Sequence, residues 1–130
     1  MKKWIISACL LMMQAGAWAK VTLPDIMSDN MVLQQQTEAC LWGKANANAE
    51  VTIRPSWNRE TYKVTAGADG KWIAKIKTPT ASYNAYTISI SDGEEIILNN
   101  VLVGEVWFCS GQSNMEMPLR GFWNCPIAGA

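Results

Sequence analysis

Between Val21 and Val103 the chain is a succession of short stretches in which apolar and polar residues alternate, separated by turn residues. A period of two places the apolar side chains on one face of an extended strand. Tyr62-Lys63-Val64-Thr65, Trp72-Ile73-Ala74-Lys75-Ile76-Lys77 and Tyr86-Thr87-Ile88-Ser89-Ile90 all read this way. Met31-Val32-Leu33, Cys40-Leu41-Trp42 and Val51-Thr52-Ile53 are briefer apolar stretches. Apolar residues never recur at helical spacing over three turns in this region. The fold class is therefore mainly β, with residues 20–103 expected to form an antiparallel β-sandwich.

Turn chemistry refines that expectation. Gly67-Ala68-Asp69-Gly70 between two alternating runs predicts a hairpin, and Asp92-Gly93 predicts a second turn into Glu95-Ile96-Ile97-Leu98. Pro55 has no N–H to give a ladder, so the strand before it is expected to end near a sheet edge. Trp42, Trp57 and Trp72 are assigned to the core, where each indole N–H needs a partner; a sugar-stacking row is the alternative.

The first residues carry an address. Lys2 and Lys3 precede an apolar run from Trp4 to Met13, and Ala17-Trp18-Ala19 supplies a small-x-small cleavage pattern. Residues 1–19 are read as a signal peptide, with mature protein starting at Lys20 and exported to the periplasm or beyond the cell. The apolar run is shorter than the roughly 20 residues that span a bilayer, so no membrane span is expected.

The 11 basic and 11 acidic residues balance, which argues against a nucleic-acid or anionic-membrane partner. Cleavage leaves Cys40, Cys109 and Cys125, an odd and widely spaced set. With no histidine and no C-x-x-C pair they do not form a zinc site. Cys40 reads as a small buried hydrophobe, and a Cys109–Cys125 bridge stays open.

The pattern changes at Val101. Val101-Leu102-Val103-Gly104-Glu105-Val106-Trp107-Phe108 is almost wholly apolar, and its Val106-Trp107-Phe108-Cys109 portion reads as a strand covered on both faces, as in parallel sheets. Such a strand needs parallel neighbours joined by crossovers of a dozen or more residues. Residues 104–130 are accordingly read as the incomplete start of an α/β domain.

Cys109-Ser110-Gly111-Gln112-Ser113-Asn114-Met115 follows that run. A serine on a glycine-flanked turn after a strand projects its hydroxyl beyond the sheet edge, where open α/β sheets bind ligands. Gly111 permits a backbone conformation and close approach that a side chain would block, and the Ser113 N–H could stabilise an oxyanion. Met115 stands where a G-x-S-x-G elbow would have its last glycine. A serine also needs a base, and the chain has no histidine. Taken alone, Gly111-Gln112-Ser113-Asn114 reads first as a polar turn. Glu116 reads as a solvated or early helix acid; Asp25, Asp29, Asp69 and Asp92 read as turn or loop acids.

The chain resembles the N-terminal part of the sialate O-acetylesterases, carbohydrate esterases of the SGNH-hydrolase superfamily. The resemblance rests on Val21-Thr22-Leu23-Pro24, Ser28-Asp29-Asn30-Met31-Val32-Leu33-Gln34-Gln35 and Trp42-Gly43. It is strongest over Asn100 to Trp107, Cys109 to Met115, and Gly121-Phe122. It implies that Ser113 is the nucleophile, its N–H an oxyanion donor, and Gly111, Gln112 and Asn114 the residues framing it. It further implies a flavodoxin-like α/β catalytic domain beginning at residue 104, with the catalytic Asp and His not in this chain, so that the fragment alone would be inactive. No cofactor or metal is implied. The implied substrate is O-acetylated sialic acid. Acetylated xylan or another polysaccharide is the neighbouring possibility, and a non-catalytic glycan-binding or structural β module is the alternative of a different kind.

Overall fold

The computed structural model describes residues 20–116 and the backbone of 121–122 and 125–126; the side chains of Ser113 and Asn114 lie outside that description. So does the expected signal peptide, residues 1–19. The described chain is mainly β. Its strands are β1 (Val32–Gln34), β2 (Glu38–Lys44), β3 (Glu50–Pro55), β4 (Tyr62–Thr65), β5 (Lys71–Lys77), β6 (Ser82–Ser91) and β7 (Glu95–Gly104). A five-residue helix α1 (Gln112–Glu116) and the short pair β8 (Gly121–Phe122) and β9 (Cys125–Pro126) follow. No helix among the described residues is long and apolar enough to cross a membrane.

Five strands form one sheet in the order β1-β7-β6-β3-β4, and β2 and β5 pair antiparallel in a second. Alternation decides which side chains meet. Trp72, Ala74 and Ile76 of β5 are buried while Lys71, Ile73, Lys75 and Lys77 are exposed. Val51, Ile53, Ile88, Ile90 and Val101 from the larger sheet join Leu41, Trp72 and Ile76 from the smaller in one core. Burying each such aliphatic side chain contributes about 1.5–3 kcal/mol before chain entropy is counted.

Two polar ties link the sheets. The Trp57 indole N–H donates to Lys77 O at 2.9 Å, and Lys77 N–H donates to the Tyr62 hydroxyl at 3.2 Å. The Trp57 ring meets Tyr86 edge-on, centroids 5.5 Å apart.

The Asp92-Gly93 turn forms as the sequence predicts: β6 and β7 pair antiparallel with Ser91 opposite Glu95, and Gly93 takes φ +125°. The Gly67–Gly70 turn does not make a hairpin. β4 pairs with β3 and β5 with β2, so residues 66–70 carry the chain from one sheet to the other. Their hydrogen bonds go to the neighbouring crossing between β2 and β3: Ala66 N to Ala49 O, Asn48 N to Gly67 O, and Ala45 N to Gly70 O. Two crossings side by side satisfy each other's backbone groups, which period-two patterning alone cannot reveal. Gly70 sits there at φ +76°, where a Cβ would lie 2.5 Å from Ala45 O.

Four further expectations are corrected. The larger sheet is mixed, because β1 runs parallel to β7, with Val32 opposite Leu102 and Gln34 opposite Gly104. β3 is an interior strand, yet its β4 ladder stops at Ile53, so Pro55 faces no β4 partner. Cys40 is exposed on β2 rather than buried. Of the three tryptophans assigned to the core, only Trp72 is fully inside; Trp57 is half-buried and Trp42 is 43% exposed. The Trp72 indole nitrogen is buried without a hydrogen-bond partner.

Candidate functional site

The site lies where β7 leaves the sheet. Its final stretch is held on both sides, by β1 from Leu102 to Gly104 and by β6 opposite Val101 and Val103. An irregularity in register between Tyr86 and Ile88 precedes this stretch, with Asn100 at φ +54° on β7. Asparagine tolerates that conformation better than most residues. The Asp29-Asn30 loop secures it: Asn99 N–H donates to Asp29 Oδ1, and Asn100 Nδ2 to Asn30 Oδ1, both at 2.7 Å.

Beyond Gly104 the ladder stops. β1 ends at Gln34 and β6 begins at Ser82, so no described strand runs alongside residues 105–110. The strand expected at Val106-Trp107-Phe108-Cys109 is therefore absent. Without neighbouring backbone to bond, the segment stays irregular and its side chains face solvent, Trp107 being 83% and Phe108 93% exposed.

What ties this segment to the sheet is a cluster of side-chain amides around one carboxylate. Gln34 Nε2 donates to Glu105 Oε2 at 2.8 Å and Gln35 Nε2 to Glu105 Oε1 at 2.5 Å. Gln34 Oε1 accepts from Val106 N–H and Gln35 Oε1 from Ala81 N–H, each at 2.8 Å. Each glutamine thus uses both ends of its amide. The Gln34 amide first, and then that of Gln35, stabilises the charged carboxylate and holds Glu105 below the usual carboxylate range, against a smaller opposing effect of burial. Gln34, Gln35 and Glu105 fall within the blocks that carry the family resemblance, but nothing in their pattern marks them as a cluster.

The turn itself follows. Gly111 adopts φ +118°, a region that favours glycine, and α1 begins at the next residue. Met115 N–H bonds Gly111 O at 3.3 Å, closing the first turn. Ser113 lies within that turn, where backbone N–H groups have no partner inside the helix. Gly111 and Gln112 are exposed, as is Glu116. The structure thus brings the backbone of Gly111, Gln112, Ser113 and Asn114 into one turn, while the direction of the Ser113 hydroxyl and the Asn114 amide falls outside the described side chains. The Cys109–Cys125 pairing also falls outside them: Cys109 is exposed, and the Cys125 side chain is not described. No group of three or more potential metal ligands occurs among the described residues.

The chain resembles part of a carbohydrate acetylesterase. A crystal structure of such an enzyme from Xanthomonas citri superposes with a TM-score of 0.65 at 34% identity, covering 76% of this chain and 22% of that one. Among curated proteins, the sialate O-acetylesterase of Rattus norvegicus is 30% identical over 118 residues, 84% of this chain and 22% of its own length. That of Homo sapiens is 31% identical over 108 residues, covering 75% and 20% respectively. No protein-family model matches. The chain is thus related to the sialate O-acetylesterases over most of its own length, and it spans about a fifth of the length of the relatives it matches.

Proposed function

We propose that this chain is the leading part of an exported carbohydrate O-acetylesterase in which Ser113 is the nucleophile and O-acetylated sialic acid the substrate. The observation that carries the reading is the turn that closes the irregular continuation of β7, where Gly111 at φ +118° opens a helix containing Ser113. The names of the relatives support the acetylated-sugar substrate class. In this reading the seven strands of residues 20–103 form a β-sandwich, and residues 104–130 begin an SGNH-type catalytic domain.

The reaction is acyl transfer in two steps. Ser113 Oγ forms a bond to the acetyl carbonyl carbon as its proton passes to a histidine base. The carbonyl oxygen becomes an oxyanion facing the Ser113 N–H, and the addition intermediate collapses as the bond to the sugar oxygen breaks, that oxygen taking the proton from the histidine and leaving as a hydroxyl. Water then adds to the acetyl-serine as the histidine takes its proton, the bond from Oγ to the carbonyl carbon breaks, the proton returns to Oγ, and the acid released ionises to acetate. The chain contains no histidine, so in this reading the base and its orienting aspartate come from the part of the relatives' length that this chain does not span. Gly111, Gln112 and Asn114 frame the turn, and the reaction as written needs no metal or cofactor.

The test is acetate release from O-acetylated sialic acid by the protein at its relatives' full length. Ser113→Ala is expected to lower turnover by roughly 10⁴-fold or more while thermal unfolding of the β unit is unchanged. Retained turnover would refute the assignment of Ser113. Equal turnover on acetylated xylan would refute the sialic acid preference.

A further inference from the structure

The outward face of the two-stranded sheet breaks a rule that the rest of the fold keeps. Lys44 and Lys71 stand directly opposite one another in the β2–β5 register, a like-charged pair that opposes strand pairing. Asp69 answers one of them, its carboxylate 3.6 Å from Lys71 Nζ; Lys44 has no ion pair among the described residues. The backbone of Lys44 is fixed, exchanging two hydrogen bonds with Thr22 at 2.8 and 2.9 Å. One step along the same face, Trp42 stands opposite Ile73, and both side chains remain exposed. These residues, with Leu23 and Pro24, line an open concavity of about 610 Å³.

A half-exposed indole beside two opposed lysines, one of them without an ion pair among the described residues, selects a particular ligand chemistry. An apolar ring face is needed to cover Trp42, and a negative charge is needed beside Lys44, which the Asp69–Lys71 pair leaves unanswered. A neutral sugar supplies only the first, and a small anion only the second. We propose that this concavity is a binding site for an acidic sugar: a pyranose stacked on Trp42 with its carboxylate directed to Lys44 and Lys71. It involves none of the residues of the Ser113 turn, so it would operate as a non-catalytic hold on an anionic glycan. The inference does not depend on the esterase reading.

The probe is N-acetylneuraminic acid, titrated into this chain and followed by amide chemical shifts, with methyl glucoside and acetate as single-feature controls. Saturable shifts confined to residues 22–24, 42–44 and 71–73 are expected with N-acetylneuraminic acid. Neither control should match its affinity. Lys44→Gln with Lys71→Gln is expected to weaken binding about fivefold, the scale of an exposed charge contact, and to abolish the preference over the neutral sugar. Trp42→Ala should weaken both the acidic and the neutral sugar. All three side chains are exposed, so the variants should keep the parent amide spectrum away from the face, which verifies folding.

No saturable binding would overturn the proposal. So would equal affinity for methyl glucoside, indifference to both variants, or concentration-dependent shifts of the same face without sugar, which would make it a contact between copies of the chain. Because Ser113 takes no part, failure here leaves the esterase reading standing, and loss of the esterase reading leaves this site untouched.

Discussion

Two neighbouring stretches of β7 and its continuation have similar apolar composition and opposite fates. Val101 and Val103 are fully buried, whereas Val106, Trp107 and Phe108 lie half or more in solvent. Hydrophobicity does not separate them; backbone partners do. Residues 101–104 have β1 on one side and β6 on the other, and residues 105–110 have neither. The β unit is therefore a scaffold whose stability resides in its core. Among the described residues the connector is tied to the sheet by the Gln34–Glu105–Gln35 cluster, and it carries the residues to which chemistry is assigned.

The largest way to break that comparison is to remove core volume. Ile53→Ala or Ile88→Ala, both at fully buried positions, should cost about 2–5 kcal/mol in urea unfolding. Phe108→Ala, at 93% exposure, should stay within about 0.5 kcal/mol of the parent. Similar losses at all three positions would show that the connector belongs to the same cooperative unit.

The glycines sharpen it next. Gly70→Ala forces a Cβ toward Ala45 O at a positive φ, and about 1–3 kcal/mol of destabilisation is expected in the same assay. Gly111→Ala meets a similar backbone penalty at φ +118° but in the connector. It should leave unfolding of the β unit within about 0.5 kcal/mol of the parent while lowering acetate release in the longer protein. Destabilisation of the β unit by both substitutions would erase the distinction.

The smallest effect concerns Glu105. Its carboxyl is held below the ordinary range by the two glutamine amides, so the charged form is the one that binds. Its hold on the connector should be complete above the ordinary carboxylate range and fade as pH falls through the lowered value. Protection of the Val106 amide, whose N–H is bonded to Gln34, should fall over that window when each rate is divided by the intrinsic exchange rate at the same pH. Glu105→Gln should remove the pH dependence.

Much of the scaffold was legible because alternation is a local signal. β5 and the β6–β7 turn follow directly from their residues, and the Asp92-Gly93 pair announces its conformation. What escaped was set by partners distant in sequence. The crossing at Gly67–Gly70 depends on bonds to Ala45–Ala49, and the parallel placement of β1 depends on a strand some 70 residues later. Trp42 and Trp72 lie on different strands with different facing, so tryptophan content could not separate the buried ring from the exposed one. In the site, Gly111 was readable as a turn glycine and Ser113 by resemblance. The Glu105 cluster was not, since glutamines carry no periodic signal.

Ser113 is the centre of the proposed chemistry, and serine-directed labelling addresses it most directly. The protein at its relatives' full length is treated with a fluorophosphonate and the modified peptide is mapped by mass spectrometry. A single adduct on Ser113, formed in step with loss of acetate release and absent from Ser113→Ala, is the expected result. An adduct on another serine that forms in step with the loss of activity would contradict it.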